Sequence, residues 1–255
     1  MKISEVAAIV TGGASGLGEA VVRAIISGGG KAAILDLADD KGSKLAAELG
    51  GAAIYCKTDV SSESDVAAAI ERAVEKFGRI NVAVNSAGIL NPGRVLSKKG
   101  PIDLGKFELL IKVNLVGTFN VIRLAAMKMS ENEPNSEKER GVIVNTASVA
   151  AFDGQIGQAG YAASKGGIVG MTLPIARELA AYGIRNMTIA PGIFDTPIMA
   201  SLSDEVRASF GQSIPFPSRM GRPDEFASLV LHVIENTMLN GEVIRLDGAL
   251  RMAPK

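Results

Sequence analysis

The sequence contains no tryptophan, one cysteine (Cys56) and one histidine (His232). A lone cysteine excludes an internal disulfide and a thiolate metal cluster. A lone histidine argues against a His-based zinc site and against a Ser–His–Asp triad. No metal is expected, and His232 reads as an ordinary helix residue in the run 229–234. An excess of one charge is missing too: 27 Lys and Arg face 27 Asp and Glu, with a pI near 6.6. A nucleic-acid partner is therefore not expected. No uncharged apolar stretch reaches the ~18 residues of a membrane helix. Residues 1–10 resemble a signal peptide faintly, but Glu5 interrupts them and they lead into a glycine loop. A soluble protein without a membrane partner is expected, cytoplasmic or, in a eukaryote, in the mitochondrial matrix.

Short apolar runs alternate with amphipathic stretches along all 255 residues, with no linker, repeat or low-complexity boundary. The strand runs fall at 6–11, 31–36, 52–57, 80–84, 142–144, 184–190 and 242–246. Helical patterns fall at 19–27, 40–49, 61–77, 104–127, 158–181 and 224–234. Alternation of this kind gives an α/β fold, a single Rossmann-like domain spanning 1–255. Its doubly wound parallel sheet has seven strands in the order 3-2-1-4-5-6-7, with helices on both faces. Pro174 is expected to end or kink its helix. Residues 89–103, with Pro92, Gly93, Gly100 and Pro101, read as a loop at a substrate entrance, and about 193–222 as a mobile lid.

The first strand runs into Gly12-Gly13-Ala14-Ser15-Gly16-Leu17-Gly18 and then a helix. Glycines let the backbone approach a pyrophosphate, and a helix N-terminus offers free N–H groups and a positive dipole end. Glu19 follows Gly18, where a P-loop needs Lys and Ser or Thr. Asp36 closes the second strand, roughly twenty residues on, where a carboxylate accepts ribose hydroxyls and repels a 2′-phosphate. No arginine occurs in 37–40, so the expected cofactor is NAD rather than NADP. Asp59 and Val60, after the third strand, suit the adenine. Asn85-Ser86-Ala87-Gly88, after the fourth, suits a wall for the adenosine ribose or a plain turn. Pro191-Gly192, with Thr196 beyond it, suits a segment closing over the nicotinamide carboxamide.

Tyr161 and Lys165 lie one helical turn apart on one face. A phenol ionises near pH ~10, and a neighbouring ammonium lowers that value and makes a usable base. Ser148, beyond the run 142–144, can offer a hydroxyl to the same substrate oxygen. Asn114, polar in an apolar helix, reads either as a buried helix-bending group or as part of a proton path.

Thr-Gly-x-x-x-Gly-x-Gly at 11–18, Asn-Ser-Ala-Gly at 85–88, Asn114, Ser148, Tyr161/Lys165 and Pro191-Gly192 occur in order over nearly the full length. In this the chain resembles the short-chain dehydrogenase/reductase family. The stretches TFNVIRL (118–124), GVIVNTASVAAF (141–152), ASKGGIVGMTLPIAR (163–177) and GEVIRLDGALR (241–251) resemble the branch that oxidises 3-hydroxyacyl-CoA thioesters. The resemblance implies Tyr161 as acid/base, Lys165 as its partner on the nicotinamide ribose, Ser148 orienting the substrate oxygen, and Asn114 in a proton relay. It places Ser148, Gln155 and Tyr161 at the substrate. It also adds Ser15, Leu17, Ser86 and Phe194 to the NAD contacts. The implied reaction is reversible NAD-dependent oxidation of a short or 2-methyl-branched 3-hydroxyacyl-CoA, in fatty-acid or branched-chain amino-acid degradation. A homotetramer is implied as well, with the small-residue face at 166–170 against a partner. Rivals are dehydrogenation of a free secondary alcohol or steroid, and an NAD-binding scaffold acting through its oligomer. Ser86 in place of a cysteine, Asp195 in place of a glycine, and differences at 89–106 and 197–212 leave the acyl group open.

Overall fold

The computed structural model describes residues 1–254 except 198 and 200–203, so those five positions of the expected lid lie outside the described residues. Seven strands form one parallel sheet: β1 (Ala7–Thr11), β2 (Lys31–Asp36), β3 (Ala53–Lys57), β4 (Val82–Asn85), β5 (Gly141–Thr146), β6 (Ile184–Pro191) and β7 (Val243–Leu246). Their order is β3-β2-β1-β4-β5-β6-β7, as expected. The helices are α1 (Gly16–Ser27), α2 (Asp39–Leu49), α3 (Glu63–Phe77), α4 (Leu104–Leu110), α5 (Gly117–Ser130), α6 (Ala159–Leu179), α7 (Asp204–Gln212) and α8 (Pro223–Glu235).

Strand side chains alternate between faces, so each strand feeds two cores. Ala8, Val10, Ala32, Ile34, Val142 and Val144 pack with Val21, Val22 and Ile25 of α1 and Phe226 and Val230 of α8. Ile9, Ala33, Leu35 and Ile143 pack on the other face with Val66 and Ile70 of α3 and Val121, Ile122 and Met129 of α5. Both faces being covered explains why these strands read as continuous apolar runs.

Local chemistry sets most helix ends. Ser62 caps α3 by accepting from the Asp65 N–H at 3.3 Å. Pro223 starts α8, where its missing N–H costs nothing. Pro174 does not end α6, which continues to Leu179. It sits on the exposed face, where water can take the Gly170 carbonyl that it deprives of a donor. The expected single helix over 104–127 is α4 and α5 joined by a π-helical segment, Ile111–Val116. By length and composition Leu104–Ser130 is apolar enough to cross a membrane, yet half of its most apolar window is buried inside the fold. The expected loop at 89–103 carries a small antiparallel pair, Leu96–Ser97 with Gly100–Pro101.

Candidate active site and cofactor cleft

The loops leaving the carboxyl ends of β1, β2, β4, β5 and β6 border one cleft of about 820 Å³. At its base the Gly12 backbone, with φ +62°, passes so close to Ala87 that a Cβ there would lie 2.9 Å from the Ala87 Cα and N. Thr11 clamps the same junction, its Oγ1 accepting from the Ser86 and Ala87 N–H groups, each at 3.1 Å. Thr11 was legible only as part of a glycine motif, and its bridging role needed the β1–β4 pairing. The first turn of α1 faces this base with N–H groups that have no helical partner.

Asp36 sits farther along the cleft and already serves the backbone: Oδ2 accepts from Ala14 N–H and Oδ1 from Ala38 N–H, both at 3.0 Å. It therefore ties the glycine loop to the end of β2 and presents its charge to the same space. Asp59 Oδ1 accepts from both the N–H and the hydroxyl of Ser61. The Val60 carbonyl accepts from Asn120 Nδ2 at 2.9 Å, which fixes that wall.

All but two of the residues expected from sequence line this cleft. They are Gly12, Ser15, Gly16, Leu17, Gly18, Asp36, Asp59, Val60, Ser86, Ala87, Gly88, Ser148, Gln155, Tyr161, Lys165, Pro191, Gly192, Phe194 and Thr196. Asn85 is a correction. It lies behind the wall, at the head of a buried ladder in which Asn85 Nδ2 donates to Asn145 Oδ1 and Asn145 Nδ2 to Asn186 Oδ1, each at 2.9 Å. Asn114 also lies behind the wall. Its Oδ1 accepts from the Ile89 N–H at 2.8 Å, and its Nδ2 donates to the Ile89 carbonyl at 3.0 Å and to Ser164 Oγ at 3.1 Å. It thus pins the loop after β4 to α6. Gly88 leaves room for this: a Cβ there would lie 3.3 Å from Asn114 Oδ1 and 3.5 Å from Lys165 Nζ.

Ser148, Tyr161 and Lys165 converge in the cleft. Ser148 faces the Tyr161 hydroxyl, and the Ala150 N–H holds Ser148 Oγ at 3.1 Å. Lys165 is buried, donates to the Thr146 carbonyl at 2.8 Å and places Nζ 5.8 Å from the Tyr161 ring centroid. The electrostatics differ from the expectation in one respect. Burial pushes the Tyr161 phenol above its usual range, with the Ser148 hydroxyl pulling the other way. Lys165 sits beside the ring rather than on the hydroxyl, and burial brings its own ammonium down to about 8. The ammonium does not make the phenol acidic in the protein alone.

Sequence reasoning missed several lining residues, among them Gln158, Leu109, Val113, Met199, Phe210 and Met252. Leu109 and Val113, spaced one helical turn apart, carried a readable signal. Met252 and Phe210 carried none, because nothing local says that a chain terminus or a distant helix folds over a cleft. Phe194 is fixed from behind: it bridges to Gly221 and stacks edge-on against Phe226 at 6.4 Å.

A doubly wound sheet, a glycine cradle at its switch point and a Tyr–Lys pair beside a serine define a nicotinamide-cofactor oxidoreductase. The short chain dehydrogenase family model matches residues 6–207, and the chain belongs to that family. The chain is similar to 3-hydroxyacyl-CoA dehydrogenase type-2 of Bos taurus, 55% identical over 99% of this chain and 98% of that protein. It is also similar to the crystal structure of the Mycobacterium avium protein of the same name, 48% identical with a TM-score of 0.94, covering 97% of this chain and 96% of that one. The 3-ketoacyl-(acyl-carrier-protein) reductase of Brucella melitensis, solved in complex with NADH, is 31% identical with a TM-score of 0.85 over 96% of this chain and 98% of that one.

Proposed function

We propose that the protein reversibly oxidises a 3-hydroxyacyl-CoA to the 3-oxoacyl-CoA with NAD, the acyl group being short or 2-methyl-branched. The observation that carries this reading is full-length similarity at 53–55% to relatives named for that reaction, together with an intact Ser148–Tyr161–Lys165 set in the cleft.

The cleft fits a dinucleotide. The glycine base admits a pyrophosphate close to the backbone, and its volume of about 820 Å³ extends from Asp36 to Tyr161. NAD is favoured over NADP because Asp36 repels a 2′-phosphate and Leu37 and Ala38 offer no cation in exchange. When bound, the nicotinamide accepts a hydride from C3 of the alcohol or returns it to the ketone. The chain does the rest. Ser148 Oγ holds the C3 oxygen, and Tyr161 Oη takes its proton in oxidation or donates one in reduction. Lys165 holds the ribose and, while protonated, favours the phenolate. Phe194 and Thr196 close the carboxamide side, and the described residues of 193–222 act as the lid.

The test is NADH consumption with acetoacetyl-CoA, with NADPH as control and Tyr161→Phe alongside. NADH-specific turnover reduced at least about 1,000-fold in the variant is expected. A wild type that binds NADH but leaves the thioester untouched, while reducing free ketones or steroids, would sink the acyl-CoA reading.

We also infer a homotetramer. Val116, Phe119 and Met127 are exposed on the 104–130 run, and on the neighbouring α6 a Cβ at Gly166 or Gly170 would meet nothing within 4 Å. These open faces offer a second copy close helix packing.

A further inference from the structure

Beyond β7 the chain turns back on itself. Residues 247–254 run beside the loop 152–158, which joins Ser148 to the helix bearing Tyr161. Two hydrogen bonds join the two segments, and a third ties the loop to the end of β7. Arg245 Nη2 donates to Asp153 Oδ2 at 2.6 Å. The Met252 N–H faces the same carboxylate. Gln155 Nε2 donates to the Ala253 carbonyl at 2.9 Å, and the Ile156 N–H to the Pro254 carbonyl at 3.0 Å.

Arg245 cannot swing away from this arrangement. Asp247 accepts from its Nε at 2.7 Å, and the Phe152 ring lies 5.2 Å from its guanidinium carbon. Asp247 is itself pressed against Gly192, where a Cβ would lie 2.9 Å from the Asp247 Cβ. The tail is thereby held between the loop carrying Gln155 and the loop carrying Phe194 and Thr196. The Arg245 guanidinium holds the Asp153 carboxyl below the usual carboxylate range, so the pair stays charged at neutral pH.

The effect is to hold Met252 in the wall of the cleft beside Gln155. Its thioether chain is apolar and adaptable, offering nothing to a phosphate or a sugar and a complementary surface to an alkyl chain. Val149, Ala150 and Leu109 add apolar surface to the same cleft.

We propose that Met252, carried on the C-terminal tail, determines which acyl chains the cleft accepts, with Asp153 as the positioning residue that holds it there. This rests on the acyl-CoA reading above.

The full-length protein, Met252→Ala, Met252→Leu and Asp153→Asn are assayed with saturating NADH against short, medium and long 3-oxoacyl-CoA thioesters. A homologous series of methyl ketones is run in parallel. Met252→Ala is expected to raise kcat/KM for long over short chains by about tenfold, mainly through KM. Met252→Leu, apolar and of similar volume, keeps the wild-type chain-length ratio. Asp153→Asn raises KM for every thioester while its NADH affinity, read by fluorescence, remains within about twofold of wild type. An unchanged chain-length ratio in Met252→Ala overturns the proposal. So does a loss of NADH affinity and thermal stability without any change in that ratio. If wild type reduces ketones but no thioester, only the acyl-CoA reading fails, and Met252 is scored on the ketone series. A wild type that reduces neither series overturns both.

Discussion

Lys165 shows the conflict between stability and function at a single residue. Its ammonium is desolvated, with one carbonyl and one aromatic face around it, and burial lowers its pKa from 10.5 to about 8. A shift of that size corresponds to about 3 kcal/mol of destabilisation while the group stays charged. Leaving the Thr146 carbonyl without this donor costs about 1–2 kcal/mol. The cofactor-free Lys165→Met variant is therefore expected to be more stable than wild type by about 1–2 kcal/mol at pH 7, although inactive. Between pH 8 and 10.5 the unfolded amine binds a proton that the folded one does not. Wild-type stability accordingly rises with pH through that window and the advantage of the variant shrinks. Urea melts at pH 7 and pH 10 check this, and a variant less stable than wild type at pH 7 would refute it. Asp36 also does two things: the sequence placed it at the ribose, but its bonds to Ala14 and Ala38 depend on how the glycine loop folds.

The 104–130 run shows what is decided at the scale of an element. Apolar periodicity marked it as a helix, and a polar residue in its middle marked Asn114 as unusual. The π-helical segment Ile111–Val116 surrounds that residue, and its side chain takes both polar groups of the Ile89 peptide. A one-turn π-helical widening of this kind is common where a helix serves a site. Asn114→Ala would strand the half-buried Ile89 N–H and carbonyl, with an expected loss of about 2 kcal/mol. Activity should fall as well, since the Asn114 side chain also holds α6 through Ser164. Chemical denaturation measures the first effect, and a loss below about 1 kcal/mol would show that water replaces the amide without penalty. Periodicity could not separate a bending residue from a relay residue. Only the partners of Asn114 identify the clamp, and they lie 25 and 50 positions away.

At the scale of the whole molecule, the strand order is the one that right-handed crossovers produce, and the cleft lies at the carboxyl ends where that order reverses. The outer face of α4–α5 and α6 remains apolar and open, and Phe119 is half exposed. Phe119→Glu is expected to shift light-scattering mass from a tetramer toward smaller species. A wild type already monomeric at assay concentration would remove the oligomer proposal.

Elements and chemistry that depend on neighbours within a turn or two were written in the sequence. Strand runs, the glycine turn, Asp36 at a strand end and the Tyr161/Lys165 spacing all follow from local backbone rules, and each stands where those rules put it. Helix α6 continues through Pro174 because that face meets solvent, which composition does not tell. The position of Asn85 behind the wall, the raised phenol of Tyr161 and the return of the tail to bring Met252 beside Gln155 were decided by tertiary structure. Each depends on which distant segments exclude water from a group or meet its hydrogen bonds, and no local pattern encodes that.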